Sequence, residues 1–319
     1  MRQTQPRTTE LGNTGMEITR VGFGAWAIGG GGWDGGWGEQ DDEASIKTIH
    51  RALELGVNWI DTAAVYGFGR SEDVVGRALA GVANRPYVFT KASRVAGLPG
   101  RIVSSLKRDS ILREVEGSLA RLRVDAIDLY QIHWPNPAED IEEGWSAFAE
   151  LKEQGLVRHI GVSNFDVEQL RRIQDIAPVE TLQPPYSLIT REVEDRVLPF
   201  AEREAIGVIV YSPMGSGLLT GTMSRDRIAR LPDDDWRKRS ARFQEPQLSR
   251  HLELVERIAV VAERLETTPG AVAVAWTLTN PAVDAAIVGF RRPDQVDAII
   301  GAGNLRLSQD DLDTIEGKA

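Results

Sequence analysis

Three short apolar runs of this 319-residue sequence end on side chains that can hold or move a proton. VNWID stops at Asp61, YVFTK at Lys91 and DLYQIH at His133. Other runs end on Ser163 and Asn164 (HIGVSN), on Gln183 (ETLQ), and on Tyr211 and Ser212 (GVIVYS). A polar run end often does no more than meet solvent, but a carboxylate, an amine and an imidazole at successive run ends point to a shared site. Tyr66 follows Asp61 in the small-residue loop DTAAVYGFGRSE, short enough to fold its phenol back over that site. An ammonium at Lys91 paired with Asp61 stays charged while partly buried, and a cation beside Tyr66 favours phenolate, lowering the phenol from its usual pKa of about 10. Tyr66 is therefore expected to act as a general acid near neutral pH, with His133 donating to a substrate carbonyl oxygen.

Something must bring these scattered residues together. The apolar runs Val21–Phe23, Val57–Ile60, Tyr87–Thr90, Ile127–Ile132, Val157–Val162, Glu180–Gln183, Gly207–Tyr211 and Ala285–Val288 read as buried strands. Between them the amphipathic stretches Asp41–Leu55, Ser71–Ala80, Asp109–Leu122, Ile141–Gln154, Asp166–Ile176, Glu192–Glu204, Leu248–Leu265 with Ala271–Thr279, and Pro293–Gly301 read as helices. In Asp109–Leu122, for example, Ile111, Leu112, Val115, Leu119 and Leu122 share one face. An alternation of strand and helix about eight times predicts an α/β fold of the (α/β)8 TIM-barrel type, in which all strand C-termini form one rim. The early stretch LGNTGMEI predicts a β-hairpin closing the bottom of the barrel. No linker divides the chain, so residues 1–319 are expected to form a single barrel domain.

Composition narrows the function. The chain is 42% hydrophobic and 26% charged, with 37 basic against 47 acidic residues and a formal net charge of -10. That balance lacks the electrostatic footprint of a nucleic-acid or anionic-membrane partner. The absence of cysteine excludes disulfides, thiolate metal sites and a cysteine nucleophile. The histidines, His50, His133, His159 and His251, show no metal-ligand spacing, so no metal is expected. GFGAWA at Gly22–Ala27 approximates a dinucleotide fingerprint but leads into a glycine run rather than a helix, and MGSGLLTG lacks the lysine of a P-loop. The apolar window Gly270–Phe290 carries Asn280, Pro281 and Asp284 and reads as a buried helix, a turn and a strand rather than a membrane span. The opening MRQTQPRTTELG has no apolar stretch behind its arginines, which argues against a secretory signal and for a cytoplasmic protein.

The order DTAAVYG with its following SE, VFTK, YQIH, GVSNF, LQPPYS and YSPMGSGLLTG resembles the aldo-keto reductase superfamily over essentially the whole chain, and is similar to its bacterial members and its potassium-channel β-subunit branch. The resemblance implies a tetrad of Asp61, Tyr66, Lys91 and His133, and hydride transfer between a nicotinamide cofactor and a small carbonyl or alcohol substrate. It further implies that Ser163, Asn164 and Gln183 bind the nicotinamide carboxamide. Tyr211 can stack on the ring or serve as core. Ser212, Met214, Gly215 and Ser216 resemble the family's pyrophosphate strap, where small side chains let main-chain N–H groups approach closely.

After the last strand, Gly289, Arg291, Arg292 and Gln295 (GFRRPDQV) suggest a site for an adenosine 2′-phosphate, hence NADP(H), because Arg forms paired hydrogen bonds to phosphate. In many family members a Glu–Asn pair holds the adenine; this chain has Ala298 and Ile299 there. Trp33, in the glycine-rich loop GGGGWDGGWGE, is a candidate substrate-pocket residue or simple aromatic cover. The charged segment Gly217–Gln247, poor in core residues, is expected to fold over the cofactor. The functional expectation is an NADPH-dependent carbonyl reductase; the alternative is a nicotinamide-binding, redox-sensing regulatory subunit with slow chemistry.

Overall fold

The computed structural model describes residues 5–318. Parallel strands β3 (Val21–Gly24), β4 (Trp59–Asp61), β5 (Tyr87–Ala92), β8 (Ile127–Ile132), β9 (Val157–Ser163), β10 (Thr181–Gln183), β11 (Gly207–Tyr211) and β12 (Ala285–Gly289) close into a barrel in chain order. Each expected apolar run supplies one of these strands. The antiparallel hairpin of β1 (Thr8–Glu10) and β2 (Glu17–Thr19) precedes β3.

Parity along the strands explains how one chain builds both plug and site. Trp59, Phe89, Leu129, Ile209, Ala285 and Ile287 point inward and pack on Leu11, Met16 and Ile18 from the hairpin, which stops the barrel floor. The next inward positions are Asp61, Lys91, Gln131 and Tyr211, one step up each strand. Gly22 lacks a side chain for a physical reason, since a Cβ there would lie 2.1 Å from the Trp59 indole that fills the plug. Trp59 Nε1 donates to the Thr19 carbonyl at 2.7 Å, so the buried indole is satisfied by the hairpin itself.

The outward residues meet a helical layer: α1 (Asp42–Glu54), α2 (Arg70–Ala78), α3 (Arg108–Leu122), α4 (Ile141–Glu153), α5 (Val167–Gln174), α6 (Val197–Arg203), α8 (Gln247–Arg264), α9 (Pro269–Thr277) and α10 (Pro293–Ile299). Caps agree with sequence: Asp41 accepts from Ala44 N–H, and Asp166 forms a capping box with Gln169. The helix expected over Glu192–Glu204 is split into a 3-10 turn, Glu192–Glu194, and α6. Pro199 is the cause, because proline is tolerated only in the first turn of a helix. The window Gly270–Phe290 holds buried α9, a turn and β12. No helix among the described residues is long and apolar enough to cross a membrane.

Besides the β1–β2 hairpin, further elements lie outside the alternation. The hairpin β6 (Arg94–Ala96) and β7 (Ile102–Ser104) rises from the end of β5, the short helix α7 (Arg225–Ala229) lies in the β11–α8 connection, and α11 (Gln309–Glu316) packs on α8.

Candidate active site

The barrel rim opens into a cavity of about 910 Å³ lined by Asp61, Tyr66, His133, Ser163, Asn164, Gln183 and Tyr211 at one part, and by Gly289, Arg291, Arg292, Gln295, Ala298 and Ile299 at another. At its base the fully buried Lys91 ammonium donates to Asp61 Oδ1 at 2.5 Å and to the Thr62 carbonyl at 2.9 Å. Burial lowers the Lys91 pKa, and the Asp61 carboxylate opposes that shift. Gln183 Nε2 donates to Asp61 Oδ2 at 2.9 Å and contacts Gln131 Oε1 at 3.3 Å, so both oxygens of the buried carboxylate are occupied.

Tyr66 reaches this pair from its loop. Ser71 Oγ donates to the Ala25 carbonyl at 2.8 Å and lies 2.9 Å from Thr62 Oγ1, while buried Glu72 accepts from Thr90 Oγ1 at 2.6 Å and Arg121 Nε at 2.7 Å. The loop is thereby clamped to β3, β4 and β5. Gly67, at φ 61°, would carry a Cβ only 2.2 Å from the Gly29 carbonyl, so this crossing requires glycine. The Tyr66 ring stands edge-on to His133 with centroids 5.6 Å apart, and Lys91 Nζ lies 5.4 Å from its centroid.

The expected lowering of the Tyr66 pKa is corrected. Burial pushes the phenol well above its usual value, and the negative charge of Asp61 adds to the rise. Lys91 cannot reverse this, since its hydrogen bonds go to Asp61 and Thr62 and the carboxylate offsets its charge. Tyr66 thus keeps its proton at neutral pH. His133 is driven well below the usual histidine range by burial and then by the Lys91 and Arg94 charges, so its imidazole is neutral. Its Nδ1 is buried without a partner among the described residues.

Beside these, Ser163 Oγ donates to the Gln183 carbonyl at 2.7 Å, Asn164 Nδ2 to the His133 carbonyl at 2.9 Å, and the Tyr211 hydroxyl to Asn164 Oδ1 at 2.8 Å. Burial pushes the Tyr211 phenol up to about 12. Past Tyr211 the chain turns through positive φ at Ser212 (56°), Gly215 (56°), Ser216 (57°) and Gly217 (98°). Such turns gather main-chain N–H groups into an anion-holding concavity. Met214 and Ser216 line the same cavity.

At the far part, Arg291 Nε donates to Gln40 Oε1 at 2.7 Å and its Nη1 to the Trp37 carbonyl at 3.1 Å, tying down the glycine-rich loop. Arg292 pairs with Asp294 at 3.0 Å on the surface. Gln295 Oε1 accepts from Arg291 N–H at 2.8 Å. Trp33 is buried against Tyr66 and Phe68, with Nε1 donating to the Gly30 carbonyl at 3.1 Å, and it also lines the cavity.

The segment after Gly217 bridges the cavity to that loop: Trp236 N–H donates to the Gly36 carbonyl at 3.0 Å, and Gly32 N–H to Asp234 Oδ2 at 3.2 Å. Trp236 stacks on Trp26 at 5.4 Å and meets Trp37 edge-on at 5.7 Å. The segment is not simply poor in core residues, because Leu218, Met223 and Phe243 form a small apolar cluster with Leu248.

Sequence reasoning passed over Gln131, Trp26, Arg94 and Arg237. Gln131 was findable from parity, being two residues beyond inward Leu129 and two before His133. Arg237, paired with Asp235 at 2.6 Å and 4.5 Å from the Trp37 ring centroid, was hidden in a charged stretch with no periodicity.

The residues present fit a nicotinamide dinucleotide: the cavity is large enough, it runs from a polar base to an arginine-bearing end, and an unsatisfied imidazole nitrogen lies at that base. Comparison with known proteins agrees. The sequence model for the Aldo/keto reductase family matches residues 20–319. The chain is 39% identical over 305 residues to aldo-keto reductase YhdN of Bacillus subtilis (strain 168), covering 95% of this chain and 90% of that one. It is 34% identical over 315 residues to the NADH-specific methylglyoxal reductase of Escherichia coli (strain K12), covering 94% of each. Among solved structures, the glycerol dehydrogenase AKR11B4 from Gluconobacter oxydans superposes with a TM-score of 0.88 at 37% identity, covering 100% of this chain and 95% of that one.

Proposed function

The chain belongs to the aldo/keto reductase family of oxidoreductases, and from that premise we propose that it reduces an aldehyde or ketone to the alcohol, reversibly, with NADPH as hydride donor and Tyr66 as proton donor. The observation that carries this reading is the buried Lys91–Asp61 pair set beneath a protonated phenol and a neutral imidazole in one cavity. When bound, the nicotinamide cofactor supplies the hydride.

The protein's own part is proton delivery and orientation. Tyr66 gives its proton to the carbonyl oxygen, and Lys91, bound to Asp61 and Thr62 and 5.4 Å from the ring centroid, fixes the floor against which the phenol is set. Neutral His133 orients the carbonyl, and a neutral ring does not compete with Tyr66 as the acid. Asp61, held by Gln183, keeps Lys91 charged and in place. Ser163, Asn164 and Gln183 would hold the carboxamide, Tyr211 would pack on the ring, and the left-handed turns at Ser212–Gly217 would receive the pyrophosphate.

Arg291 and Arg292 support NADPH, since the exposed Arg292–Asp294 pair is weak enough to exchange for a phosphate. Against them stands the NADH specificity in the name of the Escherichia coli relative. The cytoplasm, where reduced nicotinamide donors are replenished, is the proposed setting, and a small carbonyl or alcohol is the proposed partner. Steady-state oxidation of NADPH and of NADH with butanal tests the reading. Many turnovers, faster with NADPH, are expected; a single slow oxidation per molecule would instead favour a redox-sensing regulatory subunit.

A further inference from the structure

We propose that Arg94 recognises a negatively charged group on the substrate, so that the carbonyl compound is an oxo-acid or a phosphorylated aldehyde rather than a neutral one. This rests on the carbonyl-reductase reading and names its substrate class.

The cavity is lined by arginines 94, 227, 237, 291 and 292. Arg227 donates to Thr222 Oγ1 at 2.8 Å, Arg237 is bound by Asp235, Arg291 by Gln40 and the Trp37 carbonyl, and Arg292 by Asp294. Arg94 differs from all four, for its guanidinium has no hydrogen bond or ion pair among the described residues. It is half-buried, and burial lowers its pKa, so its charge is held at a cost that an incoming anion would offset.

Its position is prepared rather than incidental. Ser93 takes φ 83° and swings the chain out of β5, and Ser105 N–H donates to the Ser93 carbonyl at 3.0 Å, closing the base of the β6–β7 hairpin. The Arg94 guanidinium then lies 5.7 Å from the Trp134 ring centroid. The carboxylate nearest in charge, Asp34, is engaged by the same hairpin, accepting from Ile102 N–H at 3.3 Å and lying 3.7 Å from Arg101. Asp34 thus acts on Arg94 from a distance and forms no ion pair with it.

Arg94 also belongs to the reacting part of the cavity. Its charge acts on the Tyr66 phenol and on the His133 ring, whereas Arg291 feels Arg237, Asp235 and Arg292. A short substrate with its carbonyl at Tyr66 and His133 therefore places a carboxylate or phosphate within reach of Arg94, the guanidinium in this cavity's lining that has no hydrogen bond or ion pair among the described residues.

The test compares kcat/KM within matched pairs, 4-oxobutanoate against butanal for the carboxylate and glycolaldehyde phosphate against glycolaldehyde for the phosphate. In at least one pair the anionic member is expected to be favoured by about tenfold or more, mainly through KM, and the pair that shows it identifies the anion. That preference should shrink with rising ionic strength, collapse toward parity in Arg94→Gln, and be partly kept in Arg94→Lys. Parity or a neutral preference in both pairs overturns the proposal, as does a preference that Arg94→Gln leaves intact. Should Arg94→Gln fail to fold, the salt dependence of the unmodified protein decides: a preference indifferent to salt overturns it. Turnover of neither member of either pair overturns the reductase reading itself, a result distinct from turnover without anionic preference.

Discussion

At the base of the cavity side chains of the barrel fix one another: Lys91 is held by Asp61 and Thr62, Asp61 by Gln183, and Asn164 by the His133 carbonyl and the Tyr211 hydroxyl. Across the cavity the roof is held differently. Trp236 N–H donates to the Gly36 carbonyl and Gly32 N–H to the Asp234 carboxylate, joining the glycine-rich loop to the segment after Gly217, and Trp26 stacks on Trp236 with Trp37 edge-on to both. The base is a buried charge network whose parts are costly to remove singly, and the roof is a layer of loops closed by aromatic contact. The first suits proton transfer, which needs atoms held in place; the second suits a wall that opens and closes over a ligand.

The largest expected effect tests the base as chemistry. Tyr66→Phe keeps the ring against Trp26, Trp33 and His133 but removes the proton, so kcat is expected to fall by roughly 10²–10⁴-fold with nicotinamide affinity retained. Stopped-flow hydride transfer and cofactor fluorescence titration check this together; near-normal turnover would remove Tyr66 from its role.

Next comes the base as structure. Lys91→Met leaves the Asp61 carboxyl buried without its cation, at an expected cost of about 3–5 kcal/mol. Urea unfolding measures it, and Asp61→Asn combined with Lys91→Met should restore part of the loss because no unpaired charge then remains.

Behind the base, Glu114 on α3 accepts from Ser93 N–H at 3.1 Å, and burial raises its pKa to about 7 from an ordinary 4.5. The folded state therefore binds this proton more tightly than the unfolded chain. Its contribution is complete below the unfolded value and is lost as pH rises through about 7, an effect of roughly 3 kcal/mol. The melting temperature should decline between these limits, and Glu114→Gln should flatten that part of the profile.

Smaller effects belong to the roof. Arg291→Ala is expected to weaken NADPH binding about tenfold more than NADH binding, the value of one charge-assisted hydrogen bond. Equal weakening of both, read by calorimetric titration, would mean that Arg291 serves only to hold the loop at Trp37 and Gln40. Trp236→Ala removes aromatic contacts that contribute about 0.5–1.5 kcal/mol per pair. Proteolysis within residues 217–247 should quicken severalfold while global melting changes little, so an equal fall in both would erase the distinction between base and roof.

Much of the base was legible before any fold was known. Strands announce themselves as apolar runs, and a strand's period of two places Asp61 on the same face as Trp59, and Lys91 on the same face as Phe89. The rim, the hairpin plug and the convergence of Asp61, Lys91 and His133 follow from that pattern with the strand–helix alternation. Residues of the roof carry no such pattern, Arg237 and Trp236 lying in a 3-10 turn, and neither does Arg94, which lies in a short hairpin grafted onto a strand end. Even the direction of the Tyr66 shift escaped reading, because it depends on how much burial outweighs a cation already paired to Asp61. Periodicity is a property of the chain and can be read along it. Desolvation, and the choice of which arginine of the cavity lining is left without a partner, arise only from distances between segments far apart in the chain, and those the tertiary structure alone decides.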